Sequence, residues 1–335
     1  MNVSLTAFLF TLLSVFPPAR PDAPARVRPP FLRKGDKVAV ISPSYAPSAK
    51  KDTTIAAACR LMREWGLEPV TGAHVFHPDT VQQELGIKGM PLAGRLADLR
   101  WALRDTSIRA IIPSRGGYGG IHLVDSLDLA DFRAHPKWLT GYSDITNLHL
   151  GAIAAGVMSI HGNMCIDFSR RGGDNPGNRS LHDLLFGIFP SYNLPPHDLN
   201  VPGKGKGLLV AGNMITLEAL MGSSWDFPRD EPVILFLEEI EETMHAVDRL
   251  MNMLVRQGRL ANLSGLIFGG FTACKPDLKF DSIEAMLRPY VKDLGIPVCF
   301  GFPAGHVDIN MPLVEGAQAE LEVDASGTKL NFLLP

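Results

Sequence analysis

From Gly35 onward, short apolar runs alternate with amphipathic stretches of helical length, and this alternation constrains the fold more than any other feature. "KVAVIS" (37–42) is β-branched and apolar, and "TTIAAACRLMREWG" (53–66) follows with helical spacing and Gly66 as its stop. "GMPLAGRLADLRWALRD" (89–105) is a second amphipathic helix, leading into the strand "RAIIPS" (109–114) and the glycine-rich "RGGYGG" (115–120). "KWLTG" (137–141), a helix after Ser143 and the short strand "VMSIHG" (157–162) complete the series. Strands this apolar need cover on both faces, and joining helices supply it. The pattern predicts an α/β fold with a mostly parallel sheet in three layers.

Between residues 167 and 206 the character changes. "SRRGGDNPGNRS" (169–180) and "YNLPPHDLNVPGKGKG" (192–207) are rich in Gly, Pro, Asn and Asp, with one helical stretch, "LHDLLFGIF" (181–189), between them. Residues 169–206 therefore read as a linker between an N-terminal α/β domain (30–168) and a smaller C-terminal α/β domain (207–335). In the second part "GLLVAGN", "PVILFLEE", "SGLIFGGF" and "IPVCFGFP" read as strands, with helices at 243–257 and 281–292. The end, "AQAELEVDASGTKLNFLL" (317–334), alternates polar and apolar residues around a turn at Asp324–Gly327, a β-hairpin pattern. A length of 335 residues suits two domains, each with its own core.

Charge and cysteine content remove several function classes. A formal net charge of -3 gives no basic surface for nucleic acid or an anionic membrane. Cys59, Cys165, Cys274 and Cys299 show no metal-ligand or disulfide spacing, so they read as buried thiols. Leu5 to Phe16 form an apolar run of signal-peptide length, too short to span a bilayer. Residues 1–25 are thus expected to direct export to the periplasm or cell envelope, a cytoplasmic location being the alternative.

Chemistry concentrates at four places. Ser143, in "GYSDIT", sits at a strand-to-helix turn, where a hydroxyl is displayed beside free helix N–H groups. The turn alone favours a helix cap by Ser143 with Asp144 at the positive end. A nucleophilic serine needs a base, and the base an orienting acid. His306, in the loop "GFPAGHVDINMP" after a strand, is the outstanding base among ten histidines. His74, His77 and His197 read as surface residues, His149 as facing out of its helix, and His161 as a pocket residue. Glu238 and Glu239 end the strand "PVILFLEE"; alternation points one into a cleft and one toward solvent. "RGGYGG" lacks a Walker lysine and does not match G-x-G-x-x-G, so its glycines suit an oxyanion donor or a plain turn.

"SRGGYGG", "GYSDIT", "HGNM", "GNMITL", "LFLEEI" and "FPAGH", in this order from Leu32 to the C-terminus, resemble the LD-carboxypeptidase family of serine peptidases, which includes the microcin C immunity hydrolases. The resemblance implies an active site in the cleft between the two domains. It implies Ser143 as nucleophile, Glu238 rather than Glu239 as the acid and His306 as the base, with backbone amides of Gly117 and Asp144 as oxyanion donors. Arg115 is a candidate for the substrate's terminal carboxylate, a loop salt bridge being its other use. No cofactor and no metal is implied. The expected partner is a murein stem peptide, whose terminal D-alanine is released, and a homodimer is left open. One departure is His161-Gly162-Asn163, where the family often has H-G-P. Two other functions fit the outline: hydrolysis of aminoacyl-nucleotide conjugates, and ligand capture by a non-catalytic two-lobed binding protein.

Overall fold

The computed structural model describes residues 26–47, 53–76 and 92–333. The expected export signal and His77 lie outside the described residues. The first lobe runs through β1 (Lys37–Ile41), α1 (Thr54–Glu64), β2 (Glu68–Thr71), α2 (Leu92–Arg104), β3 (Ile108–Pro113) and α3 (Leu129–Ala134). It continues with β4 (Trp138–Gly141), α4 (Thr146–Ala154), β5 (Ser159–His161), α5 (Cys165–Arg171) and α6 (Pro176–Leu185). The second lobe contains β6 (Ser191–Leu194), β7 (Gly203–Asn213), α7 (Met214–Glu218), β8 (Val233–Ile240), α8 (Met244–Arg256) and β9 (Leu263–Thr272). After it come α9 (Ile283–Val291), β10 (Val298–Cys299), β11 (Leu313–Glu315), β12 (Gln318–Asp324) and β13 (Gly327–Leu333).

Strand order in the first sheet is β11-β5-β4-β3-β1-β2, parallel except for β11. The second sheet, β10-β9-β8-β7-β12-β13-β6, is parallel from β10 to β7 and antiparallel from there to β6. Alternation along each strand sets the layers. Val38 and Val40 pack with residues of α1, α5 and α6 on one face of the first sheet, Ala39 and Ile41 with α2 and α4 on the other. In the second sheet Leu209 and Ala211 belong to a separate core, whereas Leu208 and Val210 join Leu148 and Ile153 of α4 in a core common to both lobes.

Residues 169–206 are more than a connector. Leu181, Leu184 and Leu185 of α6 are buried in the first lobe, and β6 edges the second sheet, so the crossing between lobes shortens to residues 186–190. Residues 207–335 do not fold wholly apart either, because β11 returns to pair with β5. The second sheet has seven strands to the first's six. Glu315, on β11, accepts from Ala211 N at 3.2 Å, and Thr146 Oγ1 accepts from Asn213 N at 3.1 Å, so β7 is tied to the first lobe twice.

His149 does not face solvent as its sequence position suggested. It is fully buried, donates from Nε2 to Gly141 O at 2.9 Å, and takes a hydrogen bond at Nδ1 from Ser159 Oγ at 2.8 Å. Burial pushes its pKa down to about 4, holding it neutral. Its helix is buried on every side, polar Thr146, Asn147 and His149 included, so amphipathicity carried no signal. The cysteines are free; Cys59, Cys165 and Cys299 are buried and Cys274 half-buried. No helix of the described residues is long and apolar enough to cross a membrane.

Phe236, fully buried on β8, packs against His161 at 5.1 Å and Phe302 at 6.1 Å between ring centroids. Phe236→Ala is expected to cost about 3–5 kcal/mol of stability, measured as a lower midpoint of urea unfolding at unchanged slope.

Candidate active site

β4 ends at Gly141, Tyr142 stays extended, and Ser143 turns into the left-handed region at φ 63°. A non-glycine residue held there is strained, and such strain is sustained only where the surroundings over-determine it. Two neighbours do so. Gly116 leaves room: a Cβ there would lie 2.9 Å from Ser143 Cβ and 3.1 Å from its Oγ. Asp144, the next residue, is buried and accepts from Ser44 Oγ at 2.5 Å and Gly120 N at 2.7 Å. Burial raises the Asp144 pKa, and those two bonds with the charges of Arg95 and His122 work against it.

The cap expected at this helix start is not formed, since no side chain caps the turn Ser143–Ile145 or α4. The Ser143 hydroxyl has no hydrogen-bond partner among the described residues and lines a cleft of about 380 Å³. Gly117, Asp144 and Asn147 share that wall, and Asn213, Glu239 and Glu242 face them from the second lobe. Gly117 N–H finds no acceptor among the described residues.

The second lobe supplies the titratable groups. Glu238, at the end of β8, is fully buried, and its Oε2 accepts from His306 Nδ1 at 2.6 Å and from His306 N at 3.1 Å. Such closeness needs Gly305, at φ 97°, because a Cβ there would meet Glu238 Oε2 at 2.7 Å. The His306 ring then stands edge-on to Tyr142, with centroids 5.0 Å apart. Base and acid thus come to the residue preceding Ser143, although no hydrogen bond joins Ser143 to His306 among the described residues. Burial alone lowers the His306 pKa; the charge and hydrogen bond of Glu238, with Glu239 and Asp167 adding charge, outweigh it and raise the value above 6.5.

Glu239 is also buried, so neither carboxylate of the pair points to solvent as alternation suggested. It accepts from Asn213 Nδ2 at 2.6 Å, Ile215 N at 3.0 Å and Ile240 N at 2.9 Å, joining β8 to the start of α7. His161 is fully buried with neither ring nitrogen bonded, beneath Tyr142 rather than in the cleft. Arg115 is half-buried, forms no ion pair among the described residues, and lies 5.9 Å from the Tyr45 ring. Arg95 escaped the sequence reading: its buried guanidinium binds Pro43 O at 2.7 Å and Gly119 O at 2.8 Å, pinning the glycine loop. A charge on the inward face of α2 was the signal available. No group of three or more His, Cys, Asp or Glu among the described residues is arranged to hold a metal.

Family models match both lobes. The LD-carboxypeptidase N-terminal domain corresponds to residues 38–162 and its C-terminal domain to residues 206–321. The chain belongs to the LD-carboxypeptidase family. Membership makes it a peptide hydrolase. A "Probable murein peptide carboxypeptidase" of Bacillus subtilis is 31% identical over 300 residues, covering 88% of this chain and 91% of that one. The murein tetrapeptide carboxypeptidase of Pseudomonas aeruginosa is 27% identical over 303 residues, covering 85% and 93%. A crystal structure of muramoyltetrapeptide carboxypeptidase from Oxalobacter formigenes superposes with a TM-score of 0.76 at 25% identity, covering 88% of this chain and 98% of that one. The microcin C7 self immunity protein MccF, in complex with aspartyl sulfamoyl adenosine, has the same fold at a TM-score of 0.78 and 20% identity, covering 91% and 98%.

The bare Cα of Gly116 against Ser143 yields a direct expectation for this LD-carboxypeptidase family member. Gly116→Ala should lower kcat about 10–10²-fold by displacing the Ser143 side chain, and lower stability by about 1–3 kcal/mol through overpacking, read as a lower melting temperature.

Proposed function

We propose that the chain is a serine LD-carboxypeptidase that releases the terminal D-alanine of murein tetrapeptides through an acyl-enzyme. The observation that carries the reading is the buried Glu238–His306 pair, held in one lobe and set against Tyr142, the residue beside Ser143, in the other. The names of the Pseudomonas and Bacillus relatives support the substrate class.

Ser143 Oγ attacks the carbonyl carbon between the L-centre of the third residue and D-alanine. His306 Nε2 takes the hydroxyl proton while Nδ1 stays bonded to Glu238, which orients the ring and stabilises the imidazolium. The serine–histidine hydrogen bond forms in the substrate complex, as catalytic contacts commonly tighten there. Amides of Gly117 and Asp144 hold the oxyanion, each contributing about 3–4 kcal/mol. Collapse expels D-alanine, whose amine receives the proton from His306, and water then hydrolyses the ester by the same route in reverse. Arg115, which forms no ion pair among the described residues, binds the terminal carboxylate in a bidentate manner. The apolar run at Leu5–Phe16 supports action in the periplasm or cell envelope.

A second reading, hydrolysis of aminoacyl-nucleotide conjugates, has one observation in its favour. Tyr118 lines the cleft and is 46% exposed, a face on which a nucleobase can stack. Comparing D-alanine release from a murein tetrapeptide with hydrolysis of an aminoacyl adenylate analogue separates the two.

Purified enzyme is expected to release D-alanine from the tetrapeptide, and Ser143→Ala to lose this activity by about 10³-fold or more. Equal release by both would exclude the serine mechanism. His306 acts as a base only when neutral, and its pKa is raised, so kcat/KM should fall on the acid side with a midpoint above 6.5. Glu238→Gln removes the raising charge and leaves burial to lower the pKa. The acid limb then moves to lower pH while kcat drops about 10²–10⁴-fold.

A further inference from the structure

Three fully buried asparagines join the lobes in a head-to-tail chain of amides. Gly305 N donates to Asn310 Oδ1 at 2.8 Å, and Asn310 Nδ2 donates to Asn163 Oδ1 at 3.0 Å. Asn163 Nδ2 donates in turn to Asn178 Oδ1 at 2.7 Å, and Asn178 Nδ2 to the Gly172 carbonyl at 2.7 Å. Every carbonyl accepts and every amide nitrogen donates in the same sense, so the dipoles align and strengthen one another. Asn163 follows β5 and Asn178 lies in α6, both in the first lobe, whereas Asn310 lies beyond His306 in the second. The chain therefore starts at Gly305, the residue before His306, and ends on the lobe that carries Ser143.

Other contacts repeat the connection. Asn175, which caps α6, donates from Nδ2 to Asp308 O at 3.1 Å. Gly177 gives the loop room, since a Cβ there would lie 2.4 Å from Asn310 O. Within its own lobe the loop is held by Thr272 Oγ1 on His306 O at 2.6 Å and by Gly270 N on Ala304 O at 3.1 Å. Those bonds set His306 relative to Glu238 but not relative to Ser143. Apolar side chains could fill the same space, but they would fix neither a direction nor a register. A base and a nucleophile on separate lobes need both, because a displacement of about 1 Å costs on the order of 10²-fold in rate.

We infer that Asn163 is a positioning residue: through Asn310 it fixes the His306 loop of one lobe against the Ser143 lobe, with Asn178 anchoring it to α6. The inference rests on the reading of Ser143, Glu238 and His306 as the reacting set. It also gives a role to the asparagine of "HGNM", which touches no group placed in the mechanism.

The test uses the full chain with Asn163→Ala and Asn310→Ala, singly and combined, and Ser143→Ala and His306→Ala as controls. D-alanine release from a murein tetrapeptide, its pH profile and the melting temperature are measured for each. Each single variant should lose about 10–10²-fold in kcat with KM within about 3-fold of wild type. The double variant should be no slower than the worse single one, because both break the same chain. The acid limb of kcat/KM should stay in place in Asn163→Ala, because His306 keeps its bonds to Glu238 and the other titratable groups facing it, Glu239, Asp167, His161 and Tyr142, are unchanged. A folded Asn163→Ala enzyme with wild-type kcat, or one whose loss comes with a shifted acid limb and so with a disturbed Glu238–His306 pair, would overturn the inference. If the alanine variants do not fold, Asn163→Leu decides: it fills nearly the same volume and bonds to neither Asn310 nor Asn178, and wild-type kcat in it would equally overturn the latch. An active His306→Ala control would instead overturn the reading on which the inference rests.

Discussion

A carboxylate with no access to water must be paired, and the fully buried Glu238 is paired by one residue twice over, through the ring and the backbone N–H of His306. Much of the second lobe's architecture follows from that demand. The strand β8 must end where its last inward side chain meets the loop after β10, and position 305 must be glycine so that the loop can close on the carboxylate. The same contact outweighs burial in setting the protonation of His306, so one interaction fixes the orientation, tautomer and basicity of the proposed base.

The opposite half of the site works by strain. Holding Ser143 at a positive φ costs on the order of 1–3 kcal/mol, offset by a close-packed surround: Gly116 beneath the side chain, Asp144 bound to Ser44 and Gly120, and Arg95 locking the glycine loop. The two halves keep their relation because α4, which begins just after Ser143, lies in the core common to both lobes. Thr146 at its first turn binds the end of β7, and β7 runs beside β8. Packing, β11 and the asparagine chain thus each tie serine lobe to histidine lobe by a different kind of force.

What was legible in the sequence is what short-range chemistry writes there. The alternation of apolar strands and helices, the hairpin around Asp324–Gly327 and the turn before Ser143 all depend on neighbours a few residues away. The pairing of Glu238 with His306 became readable only through the ordered motifs of one family, since alternation left Glu238 and Glu239 equivalent. Features formed between distant segments stayed hidden. β11 is three residues long, too short to show a period, and it joins the first sheet from the far end of the chain. His149 looked like a surface residue because the groups around it, Gly141 on β4, Ser159 on β5 and Glu315 on β11, come together only in the folded sheet. α6 lay in a stretch dominated by turn residues, yet Asn175 and Gly177 in that stretch are its cap and its contacts with the His306 loop, and Asn178 is its bond to Asn163.

The central claim is that Ser143 becomes covalently bonded to the peptide during turnover. Rapid acid quench of enzyme mixed with a murein tetrapeptide, followed by mass spectrometry of its proteolytic fragments, measures this directly. The fragment containing Ser143 is expected to gain the mass of the tripeptide acyl group within a turnover, and the adduct to disappear as substrate is exhausted. Full D-alanine release with no adduct at any quench time, or an adduct on another residue, would contradict it.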